Sequence, residues 1–124
     1  MRQIKFRAQD IASNKWLYGD LRHHKDDVCI FEQGGTKGEQ VKRDTVGQFT
    51  GVCDMDGKEI YEGDVLVIEG IRTDRYSKVW WNNERFTFYV GHSPVSAYIR
   101  SDDNRLQEFR IAGNIYDNPQ LQIL

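Results

Sequence analysis

Carboxylates that cluster in the middle of the chain are the first residues that could do chemistry. They are Asp54, Asp56, Glu59, Glu62 and Asp64. A calcium loop of the helix–loop–helix type needs oxygen ligands at positions 1, 3 and 5, Gly at position 6 and Glu at position 12. Counted from Asp54, Lys58 takes position 5 and Glu59 takes position 6, so the pattern fails. Because Asp-Gly pairs are typical of tight turns, we predict turns and no metal ligands here.

Histidine and cysteine side chains could supply metal ligands or a nucleophile. His23 and His24 are adjacent, so on a strand they would point to opposite faces, whereas zinc needs three or four converging ligands. Cys29 lies in an apolar strand pattern, where a thiol usually packs as a small hydrophobe. The chain also lacks the GxSxG and GxxxxGK[ST] spacings. We predict no catalytic residues and no cofactor, and a metal-dependent hydrolase is the least favoured function.

Basic and aromatic residues are interspersed between positions 72 and 89. Small β-barrels bind single-stranded nucleic acid by stacking bases on exposed aromatic rings in a basic groove. On a strand, Lys78 and Trp80 would share one face and Val79 and Trp81 the other, so one tryptophan would be core and the other partly exposed. The same aromatic residues could instead fill a small core, which is the interpretation we favour. The candidate nucleic-acid contacts are Arg72, Arg75, Lys78, Trp80, Trp81 and Arg85.

Length and charge limit the remaining functions. The chain has 124 residues and a net charge of −2, which disfavours strong, sequence-blind binding to nucleic acid. Its apolar runs are much shorter than the ~20 residues of a membrane-spanning helix, and its start lacks the apolar stretch of a secretory signal. Two cysteines without a CxxC pair indicate reduced thiols. We expect a cytoplasmic protein with no membrane partner.

The elements that must position these residues are strands. Val, Ile, Thr, Phe, Tyr and Trp total 39 residues, against 12 for Ala, Leu and Met, and many segments alternate apolar with polar residues. This predicts an all-β protein, a small antiparallel barrel-like or sandwich domain with little helix. We predict strands at residues 4–8, 16–21, 28–31, 47–52, 65–68, 76–81, 86–90, 95–100 and 106–111. One helical turn is predicted at 43–46, with Asp44 as its cap.

Strand 65–68 is apolar on both faces and is predicted to be central and buried. Nothing in the sequence separates two independent domains, so we predict a single domain over residues 1–124. Within it, a glycine-rich loop at 33–39 could separate an N-terminal hairpin layer, 1–32, from a main β body, 40–124.

Several sequence blocks together resemble the YopX family, small proteins of phages and prophages. They are KFRA at 5–8, WLYGD at 16–20, VGQFTG at 46–51, DMDGKEIYEGDV at 54–65 and IAGNIYDNP at 111–119. One departure is Gln9, where relatives often have an aromatic residue. The resemblance implies a mainly-β fold and a phage-borne gene, and it implies no reaction. We interpret its motif residues as structural: Gly51, Gly57, Ile60, Tyr61, Gly63, Asp64, Gly113, Asn114, Tyr116 and Pro119.

These observations favour a non-enzymatic phage or prophage accessory protein in the bacterial host cytoplasm. It would bind a host or phage protein, or itself as a homo-oligomer. Edge strands can pair with another chain, and residues 95–100 and 121–124 are the candidate edges. The alternative is a nucleic-acid-binding barrel that uses the basic and aromatic residues of 72–89.

Overall fold

The computed structural model describes residues 2–70, 72–99 and 103–121. The chain forms two compact units, residues 1–49 and 50–124. Strands dominate both units, and the helical segments of the described chain are two short 3-10 turns. The predicted mainly-β, antiparallel class with little helix is therefore confirmed. Both sheets are open, so the barrel that the sequence allowed does not close in the described part of the chain.

The first unit is built on antiparallel strands that follow one another in space in nearly the order of the sequence. They are β1 (Phe6–Gln9), β2 (Trp16–His24), β3 (Asp27–Glu32), β4 (Gly38–Gln40) and β5 (Gly47–Cys53), which continues into the second unit. In the sheet they run β4-β3-β2-β1-β5. A small core of Ala8, Val28, Ile30 and Val41 holds this unit together. The glycine-rich segment joins β3 to β4 inside the unit.

The second unit contains the larger core. Its strands are β6 (Glu59–Tyr61), β7 (Asp64–Ile68), β8 (Arg75–Asn82), β9 (Thr87–Val90), β10 (Ser93–Pro94) and β11 (Arg110–Asn114). β6 pairs with β5, and the others form a sheet in the order β10-β9-β8-β7-β11. The prediction of a central, buried strand at 65–68 is confirmed for Val65 and Leu66, which are fully buried. The core consists of Val52, Ile60, Leu66, Val79, Val90, Val95, Leu106 and Phe109.

Two predicted strands are wrong in the second unit. Val95–Tyr98 is a 3-10 turn that follows Pro94, and it buries Val95 in the core. The strand predicted at 106–111 begins only at Arg110. Leu106 and Phe109 are both buried although they are three residues apart, a spacing that an alternating strand cannot place on one face. Position 100 and the tail 122–124, which we predicted as parts of edges, lie outside the described residues.

The helical turn predicted at 43–46 exists as a 3-10 turn, Arg43–Thr45, but its cap is not Asp44. Lys42 occupies the N-cap position, and Asp44 lies inside the first turn. The Thr45 side chain determines the geometry instead. Its hydroxyl donates to the Lys42 carbonyl (2.7 Å) and accepts the Gln9 backbone N–H (2.9 Å), which ties the turn to β1.

Asp10 organises the turn between β1 and β2. Its Oδ1 accepts the backbone N–H groups of Ala12 (2.8 Å) and Ser13 (3.1 Å). The bonds from Ala12 and then Ser13 favour the ionised carboxylate, so they hold the pKa of Asp10 below its ordinary value.

This shift predicts how acid affects the turn. Because the folded-state pKa is the lower one, the stabilisation by Asp10 is fully present above the ordinary carboxyl pKa and is lost as the pH falls through the folded value. We expect a carbon-13 NMR titration of the Asp10 carboxyl to give a midpoint below that of the acid-unfolded chain. Equal midpoints would show that the two N–H bonds do not form in solution.

Candidate binding site on the β8–β9 hairpin

The hairpin of β8 and β9 carries most of the aromatic residues that the sequence singled out. Its register pairs Val79 with Val90, Trp80 with Tyr89, and Trp81 with Phe88. Directly paired residues share a face, so Lys78 and Trp80 lie on one face and Val79 and Trp81 on the other. Val79 belongs to the core, whereas Trp81 lies on the same face but nearer the turn and is 40% exposed. The alternation of faces follows the predicted pattern, but the prediction that one tryptophan is core is wrong, because Trp80 is half-buried and Trp81 is exposed.

Trp80 is fixed within the outer face of the sheet. Its indole Nε1–H donates to the Gly91 carbonyl (2.8 Å), and its ring is tilted against Tyr89 at 5.2 Å between centroids. Tyr76 and Lys78 share this face. Trp80 is half-buried and Lys78 is exposed. This face therefore offers aromatic surface but only one of the predicted cations.

The structure does not bring the predicted cations together. Arg72 precedes β8, Arg75 begins it, and Arg85 lies in the turn at the other end. At about 3.3 Å per residue, the two ends of β8 are roughly 23 Å apart. Lys78 lies between them, on the face opposite that of Arg75. These four side chains do not line one groove.

This spacing gives a prediction for nucleic acid. We expect single-stranded oligonucleotides of mixed sequence to leave the tryptophan fluorescence unchanged, even at low salt, because stacking without a continuous basic groove is weak. Quenching that weakens as salt is added would contradict this expectation, and would favour the outer face with Trp80 and Lys78.

The turn of the hairpin presents the most exposed aromatic surface in the described chain. Phe86 is 78% exposed and Trp81 is 40% exposed. Trp81 packs edge-on against Phe88, with 4.9 Å between ring centroids. We call residues 81–88 the hairpin tip. Single exposed apolar residues are normal in proteins, whereas neighbouring ones that form a contiguous patch indicate an interaction site.

Phe86 also has an unfavourable backbone conformation. Its φ is +54°, in the left-handed region that costs an L-residue other than Gly or Asn about 1–2 kcal/mol. The other non-glycine residues described at positive φ are Asn14, Lys25 and Asn104. Phe86 is the aromatic one, and its side chain is more than three-quarters exposed, so it lies outside the core of its unit. Such strain at an exposed aromatic residue points to a function.

Comparison with known proteins decides the family. The family model described as YopX protein matches residues 5–122, nearly the whole chain. The chain belongs to the YopX family. Its fold is similar to that of protein EF1440 from Enterococcus faecalis, whose crystal structure aligns with a TM-score of 0.59 at 20% sequence identity, covering 97% of this chain and 98% of that one. No curated protein matches it.

The YopX motif at 54–65 builds turns. Asp54 is 1% exposed, and its Oδ1 accepts the backbone N–H groups of Asp56 and Lys58, both at 2.9 Å. Its Oδ2 accepts the N–H of Ile111 in β11 (3.1 Å). Asp64 accepts the Tyr61 N–H at 2.8 Å, and both residues are buried. These carboxylates therefore hold backbone, which is a structural function.

Glycines complete the same YopX motif. Gly57, in the predicted Asp-Gly turn, has φ +86°. Gly63 has φ +89°, and an added Cβ would lie 3.0 Å from the Tyr116 ring. Both positions require glycine. Gly57 is needed for the positive φ of the turn, and Gly63 is needed both for its positive φ and for the close approach of the Tyr116 ring.

The C-terminal YopX motif is a second turn centred on Asn114. The Asn114 Oδ1 accepts the backbone N–H groups of Tyr116 (3.0 Å) and Asp117 (2.8 Å). The backbone N–H of Asn114 donates to Oδ1 of Asn118 (3.1 Å). The described part of the YopX motifs therefore fixes backbone geometry.

Other residues considered for chemistry are dispersed. His23 and His24 lie at the exposed end of β2, and the third histidine of the sequence, His92, is exposed beyond β9. Cys29 and Cys53 are free thiols. Among the described residues, no group of three His, Cys, Asp or Glu side chains could hold a metal ion. Within the same residues, no helix is long and apolar enough to cross a membrane.

Proposed function

We propose that this YopX protein is a non-enzymatic accessory protein of a phage or prophage, which acts in the bacterial host cytoplasm by binding a host or phage protein. One observation carries the proposal: Phe86 is 78% exposed in a strained backbone conformation, in the same hairpin tip as the exposed Trp81. Phe and Trp are both enriched in the cores of protein–protein interfaces, and Trp is frequent among the residues that contribute most to binding energy.

The distribution of charge favours a protein over nucleic acid as the partner. The four cations predicted to contact nucleic acid are spread over the hairpin and the segment that precedes it, and the chain has a net charge of −2. The acidic residues Asp54 and Asp64 are engaged by backbone N–H groups, which supports a structural interpretation of that cluster.

Affinity capture from the host tests this proposal. The tagged full chain, the Phe86→Asn variant and the Ile11→Asn control are incubated with cytoplasmic extract, with and without nuclease. Ile11 is a matched control because it is 51% exposed and lies in the other unit. We expect the wild type and the Ile11→Asn control to capture a protein that Phe86→Asn does not capture. This capture should persist after nuclease treatment. Capture that is unchanged by Phe86→Asn, or lost with nuclease, would refute the proposal.

A further inference from the structure

Four N–H groups at the hairpin tip are already paired with acceptors inside the tip. The Asn82 Oδ1 accepts the backbone N–H groups of Glu84 (2.9 Å) and Arg85 (3.1 Å), and the Asn82 carbonyl accepts the N–H of Phe86 (2.8 Å). The indole Nε1–H of Trp81 donates to Oδ1 of Asn83 (2.8 Å). Four N–H donors next to the exposed rings therefore need neither water nor a partner.

The hydrogen bonds inside the hairpin tip determine what kind of partner surface it can bind. A polar group that loses water without a new hydrogen bond costs roughly 1–3 kcal/mol, and the tip avoids this cost for all four donors. The same bonds hold the turn in one conformation, so that little conformational entropy is lost on binding. A protruding, pre-ordered aromatic surface of this kind suits a dry, concave site.

Resting on the proposed function, we infer that the hairpin tip inserts Phe86 and Trp81 into an apolar pocket of the partner protein. Asn82 and Asn83 are its positioning residues, since they satisfy the donors that would otherwise be buried unpaired. Glu84 and Arg85 are both exposed and oppose each other in charge, so they would remain at the wet rim. This balance disfavours phosphate-rich surfaces, which attract an excess of cations.

Site-specific photocrosslinking tests the pocket. The full chain carries p-benzoylphenylalanine in place of Phe86, or in place of Ile11 as a control, and is irradiated in host cells. We expect one protein adduct from position 86 and none from position 11, and the cross-linked peptide should map to an apolar concavity. An adduct on a flat, charged protein surface would overturn the inference while leaving the proposed function intact. Adducts only to nucleic acid or lipid, or no adduct, would overturn both.

Titration calorimetry with that cross-linked protein tests the positioning residues. We expect Asn83→Ala to weaken affinity about tenfold, because the Trp81 N–H then enters the pocket unpaired. Arg85→Ala should change affinity less than about threefold, and raising the salt concentration should have an equally small effect. A large loss with Arg85→Ala but none with Asn83→Ala would identify a polar interface and overturn the inference.

Discussion

Replacing Asp54 with alanine is expected to lower the free energy of unfolding by about 3 kcal/mol or more, the largest effect of a single polar side chain that we predict. The substitution leaves three backbone N–H groups, those of Asp56, Lys58 and Ile111, without the carboxylate that accepts them. Bonds to a charged acceptor contribute roughly 1.5–3 kcal/mol each, and the three losses will not add fully. Chemical denaturation at neutral pH measures the change.

The neighbouring acid provides the matched control. Asp56 lies in the same turn, and its carboxylate contacts the Arg110 guanidinium at 3.0 Å on an exposed surface. Exposed ion pairs contribute about 0–1 kcal/mol, so Asp56→Ala should be nearly neutral. Asp54→Asn keeps one acceptor oxygen and should fall between the two alanine variants. If both alanine variants lose the same stability, Asp54 does not link the turn to β11.

Replacing Phe86 with asparagine is expected to move stability and binding in opposite directions. Asn tolerates positive φ, so the free energy of unfolding should rise by about 0.5–1 kcal/mol. Partner affinity should fall about 30-fold, which corresponds to about 2 kcal/mol and is typical of an interface hot spot. Denaturation midpoints and titration calorimetry measure the two effects.

A substitution at Lys25 provides the control that distinguishes the effect of backbone strain from the effect on binding. It is exposed with φ +55°, nearly the value at Phe86, but it lies in the turn between β2 and β3. Lys25→Asn should therefore raise stability by a similar amount and leave partner affinity unchanged. If Phe86→Asn lowers stability, the Phe86 side chain is needed for folding and its strain no longer indicates a binding function.

The local patterns of the sequence were enough to predict much of the second unit. Alternation across Lys78–Trp81 predicted which of these side chains share a face, because the period of a strand is fixed by its backbone. The apolar run at 65–68 predicted the buried centre of the sheet, and Asp-Gly at 56–57 predicted a turn with positive φ. The match of the YopX family model to residues 5–122 agrees with the resemblance of the sequence blocks to that family.

Other features were set by contacts between residues far apart in the sequence. The acidic cluster is an example. Its Asp-Gly pair predicted a turn from the sequence, but Asp54 also accepts the backbone N–H of Ile111, and only folding brings these two residues together. The predicted strand at 95–100 instead forms a turn that buries Val95, since packing against the core outweighs local β propensity.

The candidate site was likewise predicted only in part from the sequence. Composition by itself identified residues 72–89 as rich in aromatic and basic side chains. It could not show that the cations lie on different faces and at different ends of the hairpin, or that Phe86 adopts a left-handed conformation at the surface. Strand pairing and turn length determine those features, because they fix which face meets the core and where the chain must reverse.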